Sequence, residues 1–125
     1  MPDTILYVCT TCRGANDASE PRAGARLLAA LREAAGPAGP RIEGVECLSV
    51  CKRPCTVAVA SEGRWTYVYG DLDPAESART ILEGIGLYAE TPDGIVPWKA
   101  RPEAFRKGVV ARIPPLNQNL PDAAE

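Results

Sequence analysis

Residues 41–60 read RIEGVECLSVCKRPCTVAVA: a short alternating stretch from Arg41 to Glu46, a cysteine-dense segment, and the apolar run Thr56-Val57-Ala58-Val59-Ala60. Ile42 and Val45 face inward in an extended chain, so the spacing predicts a strand that runs straight into Cys47. Pro54 has no N–H for a sheet ladder, and Cys47, Cys51 and Cys55 are closely spaced, so residues 47–55 are predicted to form a loop between two strands.

Downstream, Glu62-Gly63 predicts a tight turn and Trp65 to Tyr69 a further strand, the two strands forming a hairpin. Upstream, Thr4 to Val8 is a continuous apolar run that predicts a buried strand ending at Cys9. Thr10 to Ser19 is small and polar and reads as a loop. Ser19 or Asp17 then caps a helix with Pro21 in its first turn, and Ala23, Leu27, Leu28, Leu31 and Ala34 or Ala35 on one face; Gly36 and Pro37 stop it. A second helix is predicted from Asp73 as cap, Pro74 in the first turn and Glu76 completing a capping box, with Ala78, Ile81, Leu82, Ile85 and Tyr88 or Ala89 buried. The resulting order, βαβ followed by ββα, predicts an α/β domain over residues 1–89. Residues 90–125 are proline-rich and aperiodic and predict an extended tail packed on the domain, anchored by Trp98 and Phe105 and frayed past Gln118.

A formal net charge of −2 lacks the basic balance that a phosphate backbone would attract, which argues against nucleic acid as principal partner. The local run of Lys99, Arg101, Arg106, Lys107 and Arg112 against Glu103 reads as a solvated surface segment. No charged leader with an apolar run opens the sequence and no stretch is long enough to span a bilayer, so neither a membrane nor export is expected, and the expected compartment is cytoplasmic.

The chain has five cysteines and no histidine. In a reducing compartment such clusters are expected to be ligands or redox thiols rather than structural disulfides. Cys9-x-x-Cys12 and Cys47-x-x-x-Cys51-x-x-x-Cys55 both follow predicted strands, so both can meet at one end of the sheet, where α/β folds place their chemistry. Three thiolate chemistries compete. A dithiol oxidoreductase places its attacking thiol at a helix N-terminus, whereas a loop separates Cys12 from the predicted helix and three more cysteines stay unexplained. A four-thiolate zinc site is sound chemistry, but a domain with two helices and four strands needs no such staple. A 2Fe-2S centre uses four thiolates on loops whose amides can hydrogen-bond sulfur, and Gly14 and Ser49 are candidate donors, so this reading is favoured. The absence of histidine removes Rieske-type ligation and the commonest proton-transfer residue, so no catalytic residue is expected.

The segment Glu46-Cys47-Leu48-Ser49-Val50-Cys51-Lys52-Arg53-Pro54-Cys55-Thr56-Val57, after a strand ending in Cys9, resembles thioredoxin-like 2Fe-2S ferredoxins, in which Cys-Leu-Gly-x-Cys is followed by Gly-Pro and a strand. More closely, Val8-Cys9-Thr10-Thr11-Cys12-Arg13, Trp65-Thr66-Tyr67-Val68-Tyr69-Gly70-Asp71-Leu72 and the tail from Gly94-Ile95-Val96-Pro97-Trp98 through Gly108 resemble the DUF1636 family of small bacterial metal-binding proteins, over nearly everything up to about Pro115. The ferredoxin resemblance implies a thioredoxin-like fold, a one-electron carrier or redox sensor rather than an enzyme, a redox partner protein and a homodimer. It assigns Cys9 as first ligand and Cys47 and Cys51 as the later pair. The first two cysteines are spaced far more closely than in those ferredoxins, and Cys55 stands where they carry an apolar residue. The fourth ligand is therefore Cys12 or Cys55, with Cys12 preferred because its short loop can chelate one iron together with Cys9. Thiolate metal handling, with zinc or another ion, and thioredoxin-like thiol exchange are the alternatives. Lys52 and Arg53 are expected either to be ordinary solvated loop charges or to favour a reduced centre and an acidic partner. Trp65, Tyr67 and Tyr69 alternate on one strand face and are expected to be packed or half-exposed, a partner or dimer surface being the alternative.

Overall fold

The computed structural model describes residues 4–12, 20–37, 39–50 and 52–116. Along the chain run β1 (Thr4–Cys9), α1 (Ala23–Ala35), β2 (Arg41–Val45), β3 (Val57–Ser61), β4 (Thr66–Tyr69), α2 (Ala78–Ala89), a 3-10 turn (Trp98–Ala100), α3 (Glu103–Lys107) and β5 (Val109–Ile113). They form one sheet of order β2-β1-β3-β4-β5, in which β1 and β2 are parallel and the other neighbours antiparallel. The βαβ unit and the following ββα unit are those predicted.

Period-two burial accounts for β1, where Thr4, Leu6 and Val8 are buried, and Cys9 is buried as well. Helical spacing accounts for α1, which buries Ala23, Leu27 and Leu31, and for α2, which buries Ile81, Ile85 and Tyr88. The two helices pack on each other, and α1 lies against β1 and β2. Truncating Leu27 or Leu31, both fully buried, would cost about 2–5 kcal/mol. Among the described residues no helix is long and apolar enough to cross a membrane.

Both helix starts differ from expectation. Helix α1 begins at Ala23, after Pro21, with no side-chain cap from Arg22; Ser19 and Asp17 lie outside the described residues. An orphan N–H of its first turn is satisfied instead by the chain, Gly24 donating to the Cys12 carbonyl at 2.9 Å. Helix α2 begins at Ala78. Asp73 does cap, its Oδ1 accepting from Ala75 N and Glu76 N at 2.7 and 2.9 Å, but the turn it caps is separate. Ser77 Oγ, rather than Glu76, returns the contact by accepting from Asp73 N at 2.8 Å, and the helix starts after it.

Residues after Glu90 are not extended throughout. Gly108 follows α3, Gly70 N donates to its carbonyl at 2.8 Å, and the β-branched run after it pairs with β4. Phe105 is buried and stacks on Tyr69 with ring centroids 3.8 Å apart, an approach that Gly84 permits because a side chain there would strike the Phe105 ring. Trp98, the other expected anchor, is 58% exposed; Phe105 fills the core in its stead. Tyr67 and Tyr69 are buried inside the chain, so they offer no partner or dimer surface. Trp65 precedes β4, and its N–H goes to Asp93 O at 2.8 Å rather than to a strand.

Candidate functional site

Because β1 and β2 are parallel and Cys9 pairs with Val45 in register, the loops after both strands leave the sheet at the same end. Strand β3 runs the opposite way and pairs Val57 with Val8, which brings Cys55 and Thr56 to that end as well. Hydrogen bonds tie the three segments together. Thr10 N and Thr10 Oγ1 both donate to Val45 O, at 2.8 and 3.1 Å, Thr11 Oγ1 donates to Glu46 O, and Cys9 N donates to Thr56 O at 3.1 Å.

Cys9 and Cys12 are both buried. Burial alone would raise the Cys9 thiol, but the Cys12 thiol, the Leu48 N–H and Thr11 hydrogen-bond it, and together they hold it below the usual thiol range. Cys12 moves the other way: burial, its hydrogen bond to Cys9 and the charge on Cys9 push it up to about 12, against the Thr56 N–H. Cys9 Sγ lies 3.8 Å from Glu46 O and 3.8 Å from Thr11 Oγ1. The two thiols are thus shifted in opposite directions, with backbone amides of both neighbouring segments directed at them.

Cys47 is exposed at the rim, and Ser49 N donates to its sulfur at 3.2 Å. Ser49 is one of the expected donors, and it holds φ at +62°, a left-handed conformation that disfavours a side chain. The other expected donor, Gly14, lies outside the described residues, as does Cys51. Cys55 is buried, its backbone paired with Leu72 in both directions at 3.1 and 3.2 Å. Among the described residues no three cysteine or carboxylate side chains converge as a metal-ligating group. The residues brought together are Cys9 and Cys12, with Cys47 and Cys55 on the two adjoining segments.

Arg53 is no solvated loop charge. Its Nε donates to Asp71 Oδ2 at 2.8 Å, Nη1 to Val109 O at 3.4 Å and Nη2 to Lys107 O at 3.3 Å, while Asp71 N donates to Arg53 O at 2.9 Å. It fastens the cysteine loop to α3 and β5, and Asp71 offsets its charge; Lys52 is exposed.

Gly24 was not foreseen as part of the site. A Cβ there would lie 1.9 Å from Cys9 O and 3.2 Å from Cys12 N, so only glycine lets the start of α1 rest on the Cys9–Cys12 turn. The one sequence signal was a glycine inside an otherwise helical pattern, which commonly marks a close backbone approach.

A family described as proteins of unknown function, DUF1636, matches residues 6–115. No curated protein matches the chain. Among solved structures, the chain is similar to a thioredoxin-like 2Fe-2S ferredoxin from Aquifex aeolicus, with a TM-score of 0.58 at 17% identity over 94% of this chain and 99% of that one. A cysteine-to-serine variant of that ferredoxin gives 0.55 at 16% identity over 86% and 98%, and a wild-type structure 0.54 at 13% over 89% and 99%. At these identities the likeness establishes the fold, which is thioredoxin-like.

Proposed function

Since the chain belongs to the DUF1636 family, whose proteins have no assigned function, its role follows from its own residues, and we propose that it is a small 2Fe-2S protein acting as a one-electron carrier or redox sensor. Cys9, Cys12, Cys47 and Cys51 are the proposed ligands, with Cys55 as the alternative to Cys12. The observation that carries the reading is the Cys9–Cys12 pair: two buried sulfurs in hydrogen-bond contact, with an amide from the Cys47 loop (Leu48) on one and an amide from the β3 segment (Thr56) on the other. The donor set fits, since thiolates suit iron-sulfur centres and amide hydrogen bonds to sulfur tune them. When bound, such a cluster supplies one-electron chemistry.

The rest is the chain's own work. Leu48 and Thr56 N–H groups favour negative charge on the buried sulfurs, burial limits water, and the Cys12 proton must leave before that sulfur can ligate. A redox partner protein is part of the proposal, as are a homodimer and a cytoplasmic setting. Thioredoxin-like thiol exchange is supported by the opposite shifts of Cys9 and Cys12, but with relative exposures of 2% and 6% neither thiol is open to a partner disulfide. A zinc-handling role draws support from the exposed Cys47 thiol. Anaerobic purification with iron, zinc and acid-labile sulfide analysis and visible absorption separates the three. Iron and sulfide in equal amounts are expected; zinc without sulfide, in protein that also fails reconstitution, would refute the proposal.

A further inference from the structure

Trp98 is exposed yet held in place. The Arg101 guanidinium lies 5.6 Å from its ring and 5.2 Å from that of buried Tyr67, and Arg101 is itself fixed by Val96 O at 2.8 Å and Tyr67 Oη at 3.2 Å. A rigid exposed aromatic loses little freedom when covered, which is why such residues anchor interfaces.

Beside it lies a hollow of about 210 Å³ lined by Trp98, Glu103, Arg106 and Lys107. Arg106 lines this hollow with its guanidinium, whose Nε is buried with no hydrogen-bond partner among the described residues. Lys107 is exposed, and its ammonium meets the Glu103 carboxylate at 2.7 Å. A second hollow of about 370 Å³, lined by Asp71, Glu103, Ala104, Lys107 and Gly108, adjoins the first through the shared Glu103 and Lys107. It reaches the cysteine loop, because Arg53 bonds both Asp71 and the Lys107 carbonyl.

We propose that this face, with Trp98 as apolar anchor and Arg106 and Lys107 as cations, docks an acidic segment of a partner protein that carries an apolar side chain. The segment's carboxylates meet the Lys107 ammonium, displacing Glu103, with the Arg106 charge beside it, while its apolar side chain covers Trp98. Residues 97–108 carry Lys99, Arg101, Arg106 and Lys107 against Glu103 in a chain of net charge −2, so the attraction is local. The same net charge disfavours a nucleic acid, which needs a broad cationic footprint. Identifying the partner as the redox partner rests on the proposed function; the docking face itself does not.

The test is a titration of the full chain, with its iron and sulfide content measured on the same sample, using a synthetic peptide alternating Glu with Leu. Binding is followed by the two tryptophan indole N–H resonances. The Trp98 resonance should shift and saturate, the Trp65 resonance should stay, and affinity should fall as salt rises. Trp98→Ala and Lys107→Glu, both at exposed positions, should each weaken binding about tenfold. Glu103→Gln should tighten it, a sign that a merely damaged fold does not produce. An unmoved Trp98, an unchanged affinity in Lys107→Glu, or equal or tighter binding of a Lys-Leu peptide or of oligothymidylate overturns the proposal. Peptide binding by a protein without iron or sulfide would leave the face standing and count against the cluster; an iron-sulfur protein indifferent to the peptide would do the reverse.

Discussion

The N–H of Gly24 donates to the carbonyl of Cys12 at 2.9 Å, so the first turn of α1 is capped by the very turn that presents the Cys9–Cys12 pair. Helix and site therefore depend on the same few atoms. Gly24→Ala would place a methyl 1.9 Å from Cys9 O. The expected result is a loss of about 1–3 kcal/mol in urea denaturation together with reduced iron per chain. Wild-type stability and loading in this variant would show that the approach is not required.

Ser49 sits in a left-handed conformation, φ +62°, while its N–H serves Cys47. Ser49→Gly removes the Cβ penalty of about 1–2 kcal/mol but adds freedom to the unfolded chain worth about 0.5–1 kcal/mol. A net gain of about 0.5–1 kcal/mol is expected by denaturant midpoint at unchanged slope.

Arg53 bridges Asp71 and the carbonyls of Lys107 and Val109. Its side chain is partly exposed, which discounts the ion pair, so Arg53→Ala should cost about 1 kcal/mol and loosen the cysteine loop. Arg53→Lys should recover little, because one ammonium cannot span three acceptors. Because Asp71 already offsets the Arg53 charge, Lys52→Ala should lower the reduction potential more than Arg53→Ala; voltammetry showing the opposite order would contradict this.

Tyr69 is buried against Phe105, and burial raises its phenol above the ordinary value. The folded state therefore holds this proton more tightly than the unfolded chain does. That contribution is fully present below about pH 10, the unfolded value, and is lost as pH rises toward the folded one. Tyr69→Phe should lose less stability than the wild type between pH 8 and pH 11, measured by urea denaturation. Equal losses would assign the alkaline slope to other groups.

The sequence of elements up to α2 and the cysteine clusters were legible because apolar patterning, Pro54 and tight Cys spacing act locally. Leu48 and Thr56 were invisible as donors to sulfur, since it is their backbone amides that act and any side chain carries one. Arg53 read as a loop charge because its partners lie 18, 54 and 56 residues away. Strand β5 was hidden by the prolines around it, and Trp98 looked like an anchor because composition does not tell that Arg101 would hold it outside.

The central claim is that thiolates of both clusters hold one iron-sulfur centre, with Cys12 completing the set. Its most direct measurement is iron and acid-labile sulfide content with visible absorption, on anaerobically purified wild type, Cys12→Ser and Cys55→Ser. Equal iron and sulfide are expected in the wild type and in Cys55→Ser, with a lowered content or altered spectrum in Cys12→Ser. Full loading of Cys12→Ser alongside a failed Cys55→Ser would transfer the ligand role to Cys55, and zinc without sulfide in all three would contradict the account.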